Sequence, residues 1–183
     1  MEAIETLKRE HRMAAQVCEI CRKQLDRADE TGTVDVEEID RYVEFFRFFT
    51  AACHDPKEED LLFTMLHHKG LAWDEDPLAE LVWEHEQLRV IMDTATGWLR
   101  HLKAGEQSAV RPLCRDLGTW TDLCLDHMRK EETGIFVHAL ATLTEADRDE
   151  LTLAFENVAC DECDEGADEY YTELVRELAS REG

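Results

Sequence analysis

Four histidines, His11, His54, His85 and His127, each fall on the apolar stripe of a different stretch of helical periodicity. Two carry a glutamate four residues on, as His54-x-x-x-Glu58 and His127-x-x-x-Glu131. Residues i and i+4 stack on one helix face, so each pair presents an imidazole and a carboxylate to one point. The stripes read Ile4, Leu7, His11, Ala14, Cys18, Leu25; then Val43, Phe46, Thr50, His54, Glu58, Leu61, Met65; then Leu78, Leu81, His85, Leu88, Met92, Ala95, Leu99; and last Leu113, Leu117, Trp120, Cys124, His127, Glu131, Ile135. Such stripes face a core, and a buried carboxylate without a partner is costly. Imidazole with carboxylate suits iron, manganese or zinc. The motif alone is weak, because in a chain this rich in Glu eight histidines yield roughly one His-x-x-x-Glu by accident; its place on the apolar faces is what gives it weight.

Spacing along the chain tests convergence. His11 lies as far before a helix end near Asp29 as His54 lies beyond a start near Asp35, close to 19 residues or roughly 28 Å at 1.5 Å each. His85 and His127 are similarly placed about a loop near Ala104 to Ser108, and the connection from Glu58 to His85 is shorter. Long, short, long is what an up-down-up-down bundle gives when its site lies nearer one end. The fold class expected is therefore all-α: an antiparallel up-down-up-down four-helix bundle with an additional C-terminal helical tail. Helices are expected near 2–29, 35–69, 77–103 and 108–140. An acidic tail near 144–181 follows, broken around Asp161–Gly166 and opened by Thr144 as N-cap with Glu145 and Asp147 in its first turn. Pro77 sits at a helix start, where its missing amide is harmless. Pro56, between His54 and Glu58, interrupts the hydrogen-bond ladder and is expected to kink the second helix; Asp55-Pro56 even reads as a fresh cap and first position.

At 183 residues, with no Gly/Ser/Pro-rich linker, the chain reads as one domain over 1–183, with a core bundle over about 2–140. The charged amino terminus lacks a secretion pattern and no run is long enough to span a membrane, so a cytoplasmic protein is expected. A net charge of −23 argues against nucleic acid and anionic membrane as partners. The tail, residues 144–183, holds fourteen acids against three arginines and is expected to cover and solubilise the bundle. Seven cysteines in such a compartment suggest reduced thiols, with Cys53, Cys114 and Cys124 packing in helices. Cys18-x-x-Cys21 and Cys160-x-x-Cys163 are a candidate thiol site, for zinc or for redox work. His67, His68, His101 and His138 read as surface or helix-end residues.

The run Phe45-Phe-Arg-Phe-Phe-Thr-Ala-Ala-Cys-His-Asp-Pro-Lys-Glu-Glu-Asp-Leu-Leu-Phe63, then Trp83-Glu-His-Glu86, then Asp126-His-Met-Arg-Lys-Glu-Glu132 resemble, in order and spacing, the motifs of the hemerythrin-like, or HHE cation-binding, domain family. The resemblance covers nearly the whole chain. It implies a four-helix bundle around an oxo- or hydroxo-bridged pair of iron ions, with His11, His54, His85 and His127 as terminal ligands and Glu58 and Glu131 as bridging carboxylates. The same four-His, two-Glu set resembles that of di-iron iron–sulfur cluster repair proteins. Where relatives often carry a second histidine and a glycine in the second helix, this chain has Asp55 and Pro56. A ferritin-like site would need Glu-x-x-His pairs, which are missing here.

Counting positions on two six-coordinate irons leaves roughly two open for outside groups. The oxygen carriers of the family fill one with a fifth histidine, which Leu81 and Arg89, the i±4 neighbours of His85, cannot supply. The implied function is a non-haem di-iron protein that reacts with or binds small diatomics or peroxide, with an electron donor the sequence does not identify. The other reading is an oxygen- or iron-binding, sensing or storage module without turnover. Glu10, Glu59, Glu84 and Glu132 are candidates for an outer ring or an extra ligand. Phe46, Phe49, Leu62, Trp120, Leu123 and Phe136 are candidate pocket walls.

Overall fold

The computed structural model describes residues 2–158 and 167–180, and no strand occurs among them. Helix α1 spans Glu2–Thr31 and ends where Gly32 takes φ 73°, a left-handed turn open to glycine. Asp35 caps the next helix, accepting from the amides of Glu37 (3.0 Å) and Glu38 (3.1 Å), a contact worth about 1 kcal/mol. From there one helical column runs through 36–68: α2 (Val36–Phe45), a π-helical stretch (Phe46–His54), a second one (Lys57–Phe63) and α3 (Thr64–His68). Next come α4 (Leu78–Lys103), a short 3₁₀ turn (Gln107–Ala109) and α5 (Val110–Lys130). A π-helical turn (Glu131–Ile135) joins α5 to α6 (Phe136–Thr142). Helix α7 (Glu145–Glu156) starts at Thr144 as N-cap, as expected, and Asp147 closes a reciprocal box with it that was not anticipated; α8 (Ala167–Ser180) follows. The expected break at Asp161–Gly166 lies outside the described residues.

Pro56 does not restart the second column. Asp55 is itself helical (φ −52°, ψ −40°) and caps nothing; its amide reaches back five residues to the Thr50 carbonyl. A proline ring collides with the carbonyl four residues back. The wider i→i−5 turns on both sides of Pro56 absorb the interruption where an α-helical ladder would have to break.

The apolar stripes bury themselves in two clusters. One gathers Val17, Phe45, Phe46, Met92, Leu113 and Trp120 with Tyr171, Leu174 and Leu178 of α8. The other gathers Leu7, Phe63, Leu66, Leu78, Leu81 and Phe136 with Leu151 and Phe155 of α7. The acidic tail is thus a cover: α7 packs on one cluster and α8 on the other. Between the clusters lies a polar layer, and all four histidines of the sequence pattern are in it.

Candidate metal centre

His11 comes from α1, His54 from the end of the first π stretch, His85 from α4 and His127 from the last turn of α5. Glu58 lies in the second π stretch and Glu131 opens the third. All six are buried, the two carboxylates completely. The Nε2 atoms of His11 and His54 stand 3.1 Å apart, and those of His85 and His127 stand 2.7 Å apart. Around the first pair, His11 Nε2 is 3.5 Å from Glu58 and 3.3 Å from Glu131, and His54 Nε2 is 3.4 Å from Glu58. Around the second, His85 Nε2 is 3.6 Å from Glu58 and 3.9 Å from Glu131, and His127 Nε2 is 3.1 Å from Glu131.

Each outer nitrogen has a carboxylate of its own. Nδ1 of His11 donates to Glu132 (3.1 Å), that of His54 to Glu10 (2.8 Å), that of His85 to Glu59 (2.7 Å) and that of His127 to Glu84 (2.9 Å). An ionised carboxylate only accepts, so Nδ1 carries a proton, and a neutral ring therefore turns its Nε2 lone pair to the centre. These are the four glutamates the sequence singled out. They stand outside the histidines, each against an Nδ1 atom. The sequence reading missed the next ring, in which Lys57 holds Glu10, Arg89 holds Glu59 and Asp55, and Lys130 holds Glu84 and Glu80. Its only signal was a basic residue one helical turn after His85 and one beside each bridging-position glutamate.

None of the four oxygens of Glu58 and Glu131 has a hydrogen-bond partner among the described residues. Two buried anions facing lone pairs are unstable without a positive charge between them. Two ligands at right angles on an ion about 2.1 Å away lie about 3.0 Å apart, close to the separations found for both Nε2 pairs. The donors form two groups positioned to hold a cation, His11–His54–Glu58–Glu131 and Glu58–His85–His127–Glu131, which share both carboxylates. A third group, Asp55–Glu59–His85, is already bridged by the Arg89 guanidinium.

Protonation follows the same arrangement. Burial works against charge on His11 and His85, but the surrounding carboxylates outweigh it and hold both well above the ordinary imidazole value. His127 is likewise raised, to about 9, by Glu131 and Glu84. Burial pushes Glu58 and Glu131 up, yet the imidazoles carry both below the ordinary carboxylate range. Metal ions compete with protons for donors arranged in this way.

A family model for the hemerythrin HHE cation-binding domain matches residues 2–139. The chain belongs to that family. No curated protein was found to match it. In this hemerythrin-like chain α7 and α8, which cover the two clusters, lie beyond the matched span.

A cavity of about 240 Å³ opens onto the centre, with His54, His85 and His127 in its wall. Phe46 and Trp120 line it with Leu88, Met92, Cys124 and Met128, while Arg47, Asp93 and Arg89 stand at its polar side. Of the other proposed wall residues, Phe136 stacks on His11 at 5.2 Å but is not in the cavity wall. Phe49 packs on Tyr171 at 5.1 Å, Leu62 lies in the cluster beyond the polar layer, and Leu123 is half-buried against the other cluster. Phe49 and Leu62 are core, and both lie in the π-helical stretches of the second column. Phe63, coplanar with His85 at 6.3 Å, was not anticipated. His67, His68, His101 and His138 are exposed.

Cys18, Cys21, Cys114 and Cys124 are free thiols, but Cys53 is disulfide-bonded, which corrects the expectation of reduced thiols throughout. Cys160 and Cys163 lie outside the described residues. No group of donors that includes a cysteine converges to metal-binding distance among the described residues.

Proposed function

We propose that this protein is a non-haem di-iron protein whose centre binds and reacts with peroxide, dioxygen or nitric oxide. One ion is held by His11 and His54, the other by His85 and His127, with Glu58 and Glu131 bridging them. The observation that carries this reading is the sharing of two fully buried, otherwise unpartnered carboxylates by both donor groups. When bound, the iron pair supplies redox equivalents and open coordination positions.

The chain's own residues do the rest. The Nδ1–carboxylate bonds fix ring tautomer and aim. The Lys57, Arg89 and Lys130 cations keep three of those carboxylates ionised. The cavity, walled largely by apolar side chains, offers a small molecule a path to the centre. No histidine stands at Leu81, which is buried in the cluster with Leu7 and Phe63, or at Arg89, whose guanidinium is taken by Glu59 and Asp55. A bound iron pair would therefore gain no fifth histidine and would keep positions for outside groups.

Partner residues fall in number on one helix as they rise on its neighbour. His11 meets Glu131 and Arg22 meets Asp122, while Glu84 meets His127 and Trp98 meets Asp116. That register supports the up-down-up-down order for the core helices. No helix among the described residues is long and apolar enough to cross a membrane, in keeping with the cytoplasmic location we propose.

The test is anaerobic loading with ferrous iron, metal analysis, and optical spectra before and after oxygen, azide, nitric oxide and peroxide. Close to two ions per chain and sustained peroxide consumption are expected. Stable, reversible oxygen spectra without turnover would move the assignment to a binding module, and a single tetrahedral zinc would overturn it.

A further inference from the structure

The cavity in front of the centre is larger than dioxygen, nitric oxide or peroxide requires. Each of those molecules has two heavy atoms, whereas an apolar protein cavity of about 150 Å³ already takes benzene. In proportion, the 240 Å³ found here suits an occupant of about ten heavy atoms. Helix spacing gives the cavity its depth. Met92 lies seven residues after His85 on α4 and Trp120 seven before His127 on α5, so the wall runs about 10 Å outward from the histidines. Phe46, eight residues before His54, meets Trp120 with ring centroids 4.0 Å apart. Of the wall residues only Arg47 and Asp93 are exposed, so their end meets solvent.

The two ends differ in charge. Arg47 lies over the Phe48 ring at 5.6 Å, and no ion pair joins it to Asp93 or to another carboxylate among the described residues. At the inner end carboxylates are already dense, with Glu58, Glu131, Asp55 and Glu59 among the histidines. An anion is therefore best placed at the mouth, on the Arg47 guanidinium.

We infer that the cavity binds an apolar monocarboxylate of about ten heavy atoms, its carboxylate paired with Arg47 at the mouth and its hydrocarbon end brought up to His54, His85 and His127. The inference deepens the function proposed above and rests on it for what that end meets, the iron pair. Phe46 and Trp120 give the chain flat apolar walls, and Met92 and Met128, unbranched and adaptable, close around it. Each buried methylene is worth about 4-fold in affinity, so the walls supply most of the binding and Arg47 sets its direction.

The test is titration of metal-free and iron-loaded protein with octanoate, and with acetate, 1-octanol and octylamine beside it, by calorimetry. NMR of the metal-free form reads contacts between ligand and protein protons. One octanoate per chain is expected, bound at least about 100-fold more tightly than acetate, with its hydrocarbon protons in contact with Trp120 and Met92. Arg47→Ala should weaken octanoate roughly 5-fold and leave octanol unchanged. In iron-loaded protein octanoate should slow azide binding, read from the optical spectrum, because its apolar end stands before the histidines.

If protein that binds iron and consumes peroxide takes octanoate no more tightly than acetate, the organic site is wrong and the iron assignment stands. If octanoate binds with these contacts in a chain that takes up no iron, the carboxylate site stands and the iron assignment falls. Unchanged octanoate affinity in the Arg47→Ala variant, or octylamine bound as tightly as octanoate, overturns the proposal.

Discussion

A single imidazole shows how the site handles charge. His127 titrates near 9 in the folded chain against an ordinary value of 6.5, because Glu131 and Glu84 outweigh its burial. A raised imidazole stabilises the fold fully below pH 6.5 and ceases to do so as pH rises through 9. For this residue the difference is on the order of 3 kcal/mol. His11 and His85 shift in the same direction. Glu58 and Glu131 are depressed and act with the opposite sign, their contribution present above pH 4.5 and lost as pH falls through their folded values. Metal-free protein should therefore be most stable between about pH 4.5 and 6.5 and should melt at progressively lower temperature towards pH 9. Iron-loaded protein, in which the ions replace those protons, should not show that alkaline decline. Calorimetry of both forms across this range checks the sign, and parallel curves would show that the imidazoles are not what holds the ions. At the bridging positions, Glu58→Ala or Glu131→Ala should lower iron from about two per chain to one or fewer, since each carboxylate serves both donor groups. Metal analysis of the folded variants reads this directly, and an undiminished count would mean that the carboxylates do not bridge.

Among elements, the second column is the one whose form could not be foreseen from periodicity. His-x-x-x-Glu spacing is compatible with an α-helix, yet both such pairs adjoin π-helical turns, a form that recurs at functional sites. In the second column Pro56 gives a local reason, and Thr50 adds another by donating its hydroxyl to the Phe46 carbonyl within the widened stretch. The α5–α6 column has no proline at Glu131–Ile135, and there we have no local account of the widening beyond the packing of Glu131 into the centre. If Pro56 selects the wide turn, Pro56→Ala should stabilise metal-free protein by about 1–3 kcal/mol, the proline penalty relieved, while weakening iron binding roughly 10-fold or more. Denaturant titration and a competitive chelator assay measure the two. Unweakened iron binding would show that the ligands themselves hold the turn.

At the scale of the molecule, the polar layer is flanked by two apolar clusters, and the segments beyond the matched family span complete both of them. Leu178 of α8 is fully buried among Val17-side and Phe45-side residues of the first cluster. Leu178→Ala should cost about 2–4 kcal/mol through the cavity it leaves, with iron content of the folded protein unchanged. Chemical denaturation and metal analysis of the same sample test both halves of that statement. Loss of iron at full foldedness would tie α8 to the centre and not merely to the core.

The class, the core helices, the capping of α7 and the six convergent donors were legible because each rests on a local repeat: an apolar stripe with a histidine in it, a Thr N-cap before acidic residues, a pair at i and i+4. The outer glutamates were legible only as neighbours of ligands. Which nitrogen each would hold was decided by Glu132, Glu10, Glu59 and Glu84 each reaching across to a histidine on another helix. The cations behind them had only their place beside ligands as a signal, and the cavity had none, since each joins residues far apart in the chain through helix rotation. The disulfide at Cys53 and the absence of Phe49, Leu62 and Leu123 from the cavity wall had no sequence signal either. A one-dimensional pattern sets which face of a helix is buried. The angle at which that face meets its neighbour is set by the packing of all the columns together, and the widened turns around Pro56 and Glu131 change that angle where the chemistry is placed.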